Sequence, residues 1–302
     1  MSAQDRYQTA TSFRTALEQR LRAEGLESGI PLNRLRKEAA FNRLLARLYR
    51  AAPEAWALKG GLALIARLGA GIRGTNDADA NWRTDRSALE HTLSLVEELD
   101  LNDWFDFAVG DGRPLRGEGA GGALRYPVTA AMGGRVFEQL SLDVNIVEAA
   151  DARPIELVVI QRNPFAFVGE PSLQIPMVTP GQQLAEKLHA YTRLYEDERS
   201  SRAKDLFDML VIADQVQLPS GARLAASVED TFKVRATDWP PPLVEPPADW
   251  RLPWTGFVTD YPLPWDTLSA AFTALTEFWS PLLTGSAIVA DATWRRDLWR
   301  WN

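Results

Sequence analysis

The spacing of apolar residues predicts an alternation of helices and strands along most of the chain. Apolar side chains recur every three to four residues in 13–21, 35–49 and about 86–99, which is the period of an amphipathic helix. Five other segments alternate apolar and polar residues or form short apolar runs bounded by glycine, and we predict them as strands. These segments are 76–82, 104–109, 123–130, 136–147 and 155–160. The pattern indicates an α+β (mixed α/β) protein.

The last third of the chain is predicted to be mainly helical. Thr179 is a suitable N-cap, Pro180 suits the first helical position and Gln182 the third, so a helix with a capping box should begin here and reach about 196. A second helix is predicted over about 201–214.

The C-terminal segment has a different composition from the rest of the chain. Residues 239–302 hold eight of the 11 tryptophans and nine of the 19 prolines, with one helical pattern at about 265–279. We expect a connector followed by an aromatic packing element. With 302 residues the chain should form about two units. We predict an N-terminal helical segment over 1–54, a sheet lobe over 55–178 and a helical lobe over 179–302, whose Pro/Trp-rich part begins at about 239.

Composition excludes several kinds of chemistry. The chain has no cysteine, which rules out disulfides, a cysteine nucleophile and thiolate metal sites. His91 and His189 are the only histidines, too few for a multi-histidine zinc site. A Ser-His-Asp hydrolase is not indicated either, since both histidines lie in helical patterns and the chain has no G-x-S-x-G motif. Residues 117–122 fit G-x-G-x-x-G, but a strand rather than a helix follows, so the requirement for dinucleotide binding fails.

Charge and targeting signals bear on location and partners. The N-terminus lacks a leader pattern and no apolar stretch reaches about 18 residues, so we expect a cytoplasmic protein without membrane contact. A net charge of -7 argues against a globally basic nucleic-acid coat. The predicted helix at 35–49 and its ends nevertheless carry six cations, which fits either an RNA-binding surface or an ordinary solvated face. They are Arg34, Arg36, Lys37, Arg43, Arg47 and Arg50.

A pair of glycines separates a strand-like stretch from a helix-like stretch in 57–68. Gly60 and Gly61 follow Lys59 and precede Leu62. A tight turn here would expose backbone N–H groups at the start of a helix, an arrangement that binds phosphate.

Two aspartates alternate along the next predicted strand. Asp77 and Asp79 share one face with Asn81 and lie about 7 Å apart along the chain, since a strand rises roughly 3.3 Å per residue. Carboxylates on a rigid strand suit Mg²⁺, which is commonly held by one or two carboxylates together with substrate phosphates. The alternative is a polar strand edge or a surface turn, because Asp-x-Asp is a common pattern.

Asp143 stands among apolar residues in the strand predicted at 136–147. It shares the polar face with Ser141 and Asn145. If this strand lies beside that of Asp77, three carboxylates converge, as two-metal sites for nucleotidyl transfer commonly require. The alternative is a surface or hairpin residue.

The helix that begins near Thr179 carries a cation beside its apolar stripe. Lys187 is next to Leu188, so its ammonium could emerge at the lip of a cleft and meet triphosphate oxygens. Asp205 on the following helix is a candidate to orient it. The alternative is a pair of surface helices laced with ion pairs.

Five motifs in this order resemble the AbiEii/AbiGii-type toxin nucleotidyltransferases, the group that includes the mycobacterial MenT toxins. The motifs are Lys59-Gly60-Gly61-Leu62-Ala63-Leu64, Arg73-x-Thr75-x-Asp77-x-Asp79, Leu142-Asp143-Val144, Glu186-Lys187-Leu188-His189-Ala190 and Lys204-Asp205-Leu206-Phe207-Asp208-Met209-Leu210. The resemblance implies a bilobed polymerase-beta-like nucleotidyltransferase, an enzyme that is often the toxin of a toxin–antitoxin or abortive-infection system. Such enzymes use an NTP with Mg²⁺ or Mn²⁺, and several extend the 3′ end of tRNA. The partners it implies are a cognate antitoxin protein and an RNA acceptor.

The resemblance also implies roles for individual residues. Asp77 and Asp79 would be catalytic metal ligands, Asp143 would be a third metal ligand, Lys187 would contact the NTP and Asp205 would complete the catalytic set. The remaining matched positions would shape or bind the nucleotide phosphates. They are Gly60, Gly61, Arg73 and Thr75.

Two positions depart from the family pattern. Ala78 and Ala80 replace the large aliphatic residues that usually accompany the aspartates, so this strand should pack differently. Leu62 stands where a hydroxyl residue often follows the glycines, which leaves the phosphate turn dependent on backbone N–H groups.

Three functions remain open at this stage. The first is an Mg-dependent nucleotidyltransferase toxin with an RNA acceptor, expected to be the tRNA 3′ end. The second keeps the fold but uses a small acceptor, as antibiotic-modifying nucleotidyltransferases do. The third is a non-catalytic binding protein on the same scaffold.

Overall fold

The computed structural model describes residues 2–69, 71–115, 123–147, 153–193, 202–240, 242–286 and 292–302. The glycine-rich segment 117–122 lies outside these residues, as does the predicted end of the helix near 196. The described chain divides into two compact units, Met1–Val178 and Thr179–Asn302. No helix in the described ranges combines the length and apolar character needed to cross a membrane.

In its described residues the first unit combines five helices with one mixed sheet. The helices are α1 (Ala3–Arg6), α2 (Ala10–Ser28), α3 (Leu32–Ala51), α4 (Gly60–Leu68) and α5 (Arg86–Glu98), with a 3₁₀ turn at Ala166–Val168. The strands are β1 (Trp56–Lys59), β2 (Asp77–Trp82), β3 (Phe105–Val109), β4 (Arg113–Pro114), β5 (Leu124–Met132), β6 (Arg135–Ile146), β7 (Ile155–Val159) and β8 (Gln174–Val178). The five strands predicted from the sequence are confirmed within one or two residues.

The sheet order places β2 at its centre. The strands follow the order β3-β5-β6-β2-β1-β8-β7, and β4 pairs with β5 at one side. The pairs β2–β6 and β1–β8 are parallel, whereas the other pairs are antiparallel. A central strand with two partners is held rigidly, so residues on β2 and β6 are well suited to carry a site.

One face of the sheet forms the core of the first unit. The alternation in β2 and β6 sends their apolar side chains into this core together with buried residues of α2 and α3. Ala78 and Ala80 are both buried there, next to Leu142 and Val144 of β6. The polar residues of the same strands therefore lie on the opposite face.

The second unit is helical and ends in a small hairpin. Its helices are α6 (Pro180–Thr192), α7 (Ala203–Gln215), α8 (Gly221–Val234), α9 (Arg251–Asp260) and α10 (Leu268–Leu283), with a 3₁₀ turn at Ala248–Trp250. The short strands β9 (Trp294–Arg295) and β10 (Arg300–Trp301) pair with each other. The N-cap expected at Thr179 is present, since its side chain accepts a hydrogen bond from the backbone N–H of Gln182. In a capping box the Gln182 side chain would bind the backbone of Thr179 in return. Here it donates to Glu186 and Thr231 instead.

The C-terminal tryptophans pack on their own unit, as the sequence predicted. Trp294 and Trp301 lie 4.7 and 5.5 Å, centroid to centroid, from the ring of Phe278 on α10. The indole N–H of Trp301 donates to the Phe278 carbonyl, and that of Trp299 donates to the carbonyl of Ala274. These contacts attach the β9–β10 hairpin to α10.

Candidate active site

Two aspartates lie directly opposite each other at the centre of the sheet. Asp79 on β2 pairs in register with Asp143 on the parallel strand β6. Beyond them, Asp79 faces Lys59 of β1 and Asp143 faces Arg125 of β5. One row across four strands therefore carries two carboxylates in the middle and one cation at each end.

The second aspartate of β2 lies one row away on the same face. Asp77 pairs in register with Ser141 of β6, and its side chain is 36% exposed. The expected convergence of Asp77, Asp79 and Asp143 on one sheet face is therefore observed. Residues on adjacent strands are about 4.8 Å apart, so these carboxylates are within reach of a shared group.

The glycine turn packs directly against this row. Gly60 is the first residue of α4 and has φ = +67°, a left-handed conformation that glycine adopts without steric cost. A Cβ atom built on it would lie 2.9 Å from Cγ of Asp79, nearer than real Cβ atoms approach. At Gly61, a Cβ atom would meet the guanidinium of Arg73 at 2.7 Å. Both glycines thus permit close approach of a charged side chain to the start of a helix.

The loop that leads into β2 is held by short polar contacts. The Thr75 hydroxyl donates to the Asp77 carbonyl at 3.1 Å, and the Asp77 N–H approaches the same hydroxyl oxygen at 3.4 Å. Arg73 is buried and donates to the carbonyl of Gly74. Lys37 of α3 donates to the side chain of Asn76 at 2.6 Å. Thr75 fixes the backbone at the start of the aspartate strand.

Arg125 is part of the site although the sequence analysis did not select it. Its Nε and Nη2 donate to the two carboxylate oxygens of Asp143 at 2.7 and 2.6 Å, and Nη2 lies 3.5 Å from Oδ1 of Asp77. The hydrogen bond to Asp143 raises the pKa of Arg125, and the charges of Asp143, Asp77 and Asp79 act in the same direction. Arg125 therefore stays cationic and neutralises part of the cluster.

A divalent metal fits Asp77 and Asp79. Within the described ranges no group of three or more His, Cys, Asp and Glu side chains is arranged to hold a metal ion. Mg²⁺ is commonly bound by one or two carboxylates together with substrate phosphates, and the β2 pair offers that donor set beside the helix start at Gly60. Both oxygens of Asp143 are bound by Arg125.

Lys187 and Asp205 lie in the second unit, where a further aspartate joins them. The sequence suggested that the Lys187 ammonium could emerge at the lip of a cleft; in the structure 9% of Lys187 is exposed. Nζ donates to Oδ2 of Asp208 at 2.5 Å and lies 3.5 Å from Oδ1 of Asp205. Asp208 is fully buried, whereas Asp205 also accepts from Arg202 at 3.3 Å. Asp208, rather than Asp205, is the nearer partner of Lys187.

His189 follows Lys187 on α6 but is not suited to proton transfer at neutral pH. Burial and, after it, the charges of Arg235, Arg193 and Arg202 together lower the pKa of His189 to about 4. Nδ1 of His189 and Nη1 of Arg235 are 2.8 Å apart, so the ring is neutral and accepts from the guanidinium.

The prediction that the six cations of α3 lie on an exposed face is wrong for two of them. Arg47 is fully buried and binds both oxygens of Asp103 at 2.8 and 2.9 Å. Arg43 is also buried and donates to Glu170 at 2.7 Å. Both arginines lie on the side of α3 that faces the core, where the carboxylates of Asp103 and Glu170 neutralise them. Arg50 at the end of the helix is exposed.

The comparisons with known proteins can be set against this geometry. A family model described as the nucleotidyl transferase AbiEii toxin of a type IV toxin–antitoxin system matches residues 43–274. No match occurs among curated proteins.

Two solved structures illustrate the likeness. MenT4, a nucleotidyltransferase toxin from Mycobacterium tuberculosis H37Rv, is 19% identical, with 89% of this chain and 87% of that chain covered and a TM-score of 0.50. JHP933 from Helicobacter pylori is 17% identical, with 84% of this chain and 94% of that chain covered and a TM-score of 0.46. At this identity the likeness to MenT4 concerns the fold.

Proposed function

Because this chain belongs to the AbiEii family of nucleotidyltransferase toxins, we propose that it transfers a nucleoside monophosphate from an NTP to the 3′ end of tRNA. The observation that carries the proposal is the placement of Asp77 and Asp79 on the central strand, directly beside the glycine turn at Gly60. A neighbouring carboxylate pair and helix start provide a metal site and a phosphate site side by side. As a toxin it would act in the cytoplasm and be countered by a cognate antitoxin.

Each residue of the first unit has a role that follows from its position. Asp77 and Asp79 would hold Mg²⁺, or Mn²⁺ in its place, which when bound neutralises developing charge on the phosphates. The N–H groups that begin α4 at Gly60 and Gly61 would bind phosphate oxygens, as helix starts do. Arg73, packed on Gly61, would add positive charge there, and Thr75 would hold the backbone of Asp77.

The reaction is a displacement at the α-phosphorus of the NTP. The RNA 3′-oxygen loses its proton to solvent and forms a bond to the α-phosphorus, while the bond to the bridging oxygen of the β-phosphate breaks. Pyrophosphate leaves with that oxygen and its electron pair. By holding the metal ion, Asp77 and Asp79 would help to orient the phosphates for in-line attack, which is how positioning accelerates phosphoryl chemistry.

Lys187 and Asp205, both in the second unit, are further residues that we propose to be catalytic. Lys187 would bind the triphosphate as a point charge, and Asp205 would hold the ammonium from the side. This role competes with the ion pair that Lys187 makes with the buried Asp208. Stability and activity of Lys187 variants should therefore be measured together.

The test is nucleotide transfer by purified protein incubated with Mg²⁺, each labelled NTP in turn and total tRNA. Wild type should label tRNA, and Asp77→Asn should lower the rate at least about a thousandfold, since metal-held charge stabilisation contributes several kcal/mol. Asp106→Asn is a matched control, because Asp106 is an exposed aspartate on β3 of the same sheet. Periodate-oxidised tRNA, which lacks the terminal diol, should remain unlabelled.

The other functions correspond to defined outcomes of the same experiment. Release of pyrophosphate with label on a small acceptor, but on no RNA, would support the small-molecule nucleotidyltransferase. An absence of NTP binding and of transfer by wild type would support the non-catalytic binding protein and overturn our proposal.

A further inference from the structure

The guanidinium of Arg125 binds Asp143, the carboxylate that a two-metal site would need as its third ligand. Arg125 binds both oxygens of Asp143 and also approaches Asp77 at 3.5 Å. The Asp143 side chain is only 11% exposed, so little of it is accessible around this pair. A metal ion that takes Asp143 as a ligand must therefore take the place of Arg125.

We propose that Arg125 competes with divalent metal for Asp143 and thereby sets the metal affinity of the site. This inference rests on the proposed function, because it takes Asp77 and Asp79 as the primary metal ligands. When no metal is bound, the guanidinium takes the place of the metal ion as the positive charge beside Asp143. It thereby reduces the repulsion between Asp143 and Asp79 across the two strands. Like charges directly opposite one another destabilise a sheet.

Metal can bind Asp143 only if the Arg125 side chain moves. An arginine remains protonated at all accessible pH values, so Arg125 can leave Asp143 only by swinging its side chain away. That motion is feasible because 43% of the Arg125 side chain is exposed. A paired, charge-assisted contact of this kind is among the stronger hydrogen-bonded contacts in proteins. A metal ion that binds Asp143 must supply the free energy to break this contact, and its affinity is lower by that amount.

The arrival of substrate changes this balance. The triphosphate brings negative charge that offers the released guanidinium a new partner, since arginine binds phosphate oxygens in the same paired geometry. Metal alone should therefore bind weakly to the wild-type protein, and metal with NTP should bind more tightly. Arg125 would then couple the binding of metal to the binding of NTP.

The experiment measures Mn²⁺ binding by electron paramagnetic resonance, without NTP and without turnover. Arg125→Met should bind Mn²⁺ about tenfold more tightly than wild type, because a paired charge-assisted contact no longer competes. Arg113→Met is the matched control: it removes the same charge from β4, from the residue directly opposite Arg125. Its affinity should stay within about twofold of wild type, as expected for screened, exposed charge.

A second background separates direct competition from a general charge effect. In Asp143→Asn protein the gain from Arg125→Met should vanish, because no carboxylate is released. Arg125→Gln, which keeps an amide donor beside Asp143, serves if the Met variant fails to fold. Equal gains in the Arg113 and Arg125 variants, no gain at Arg125, or a gain that persists without Asp143 would each overturn the proposal.

These outcomes are distinguishable from failure of the proposed function. A wild-type protein that transfers nucleotide while the Arg125 variant gains no affinity for Mn²⁺ would refute the competition alone. Tighter Mn²⁺ binding by Arg125→Met in a protein that transfers nothing to RNA would support the competition and refute the function.

Discussion

The Cα atom of Gly60 lies so close to the carboxylate of Asp79 that a side chain at position 60 has no room. The conformation of Gly60, with φ = +67°, adds a second reason for glycine. The start of α4 and the aspartate strand β2 are therefore in direct contact. A side chain introduced at position 60 would displace the Asp79 carboxylate.

Gly60→Ala should impair both folding and transfer. The left-handed conformation should cost about 1–2 kcal/mol of unfolding free energy, and displacement of Asp79 should lower the transfer rate at least about tenfold. Gly29→Ala is the control, since Gly29 has φ = +75° with open space around its Cβ position. It should lose comparable stability and keep full activity. Full transfer by Gly60→Ala would show that the position of Asp79 is not critical.

Lys187 variants should separate a structural role from a catalytic one. Lys187→Met removes the nearest cation from the buried Asp208, and breaking a buried pair in this way typically costs about 3–5 kcal/mol. The double variant Lys187→Met/Asp208→Leu should recover most of that stability, because an apolar pair of similar volume is often tolerated. Urea unfolding and tRNA labelling are measured on the same samples. A stable double variant with normal transfer would show that Lys187 is only structural.

The sequence identified the aspartates of the candidate site but not the cation that binds Asp143. Strict alternation placed Asp143 on the polar face, and the family motif identified Asp77 and Asp79. Counting back from the Gly133–Gly134 turn pairs Arg125 with the apolar Leu142. A bulge in the β5–β6 hairpin shifts the pairing by one residue and brings Arg125 opposite Asp143 instead. Nothing in the local sequence specifies that bulge.

Other differences also have local physical reasons. Helix α9 was not predicted, because its segment is rich in proline. Pro253 lies in the first turn of this helix, where a missing N–H is harmless. Asp208 was quoted within a motif but not selected. Its position three residues after Asp205, inside an apolar run, is a signal that it needs a buried cation.

Arg47 should behave as a core residue and not as an RNA contact. Arg47→Met leaves Asp103 buried without its paired donor, so the free energy of unfolding should fall by about 3–5 kcal/mol. Arg50→Met, at an exposed position on the same helix, should change stability by less than about 0.5 kcal/mol. Urea unfolding gives the stabilities, and a gel shift gives tRNA affinity. A folded Arg47→Met protein with specifically weakened tRNA binding would restore the RNA-binding interpretation.

Glu38 should make stability fall as the pH rises. Burial raises the pKa of Glu38 to about 7, while Arg162 opposes this effect and Glu24 adds to it. A carboxyl with a raised pKa binds its proton more tightly when folded, so its stabilising contribution is complete below about pH 4.5 and is lost as the pH rises through about 7. Arg162 also binds both oxygens of Glu24, so it keeps a partner when Glu38 is neutral.

Glu38→Gln should therefore gain stability relative to wild type as the pH rises. Glutamine resembles the protonated acid, so the two proteins should differ little at pH 4, and the variant should be more stable by up to about 3 kcal/mol at pH 8. Urea unfolding at pH intervals measures the difference, in which all other titrating groups cancel. Glu27→Gln, at an exposed position on α2, should give a constant difference over the same range. A constant difference for Glu38→Gln as well would show that this carboxyl ionises at its ordinary pH, because only a pKa that differs between the folded and unfolded chains produces a pH-dependent stability.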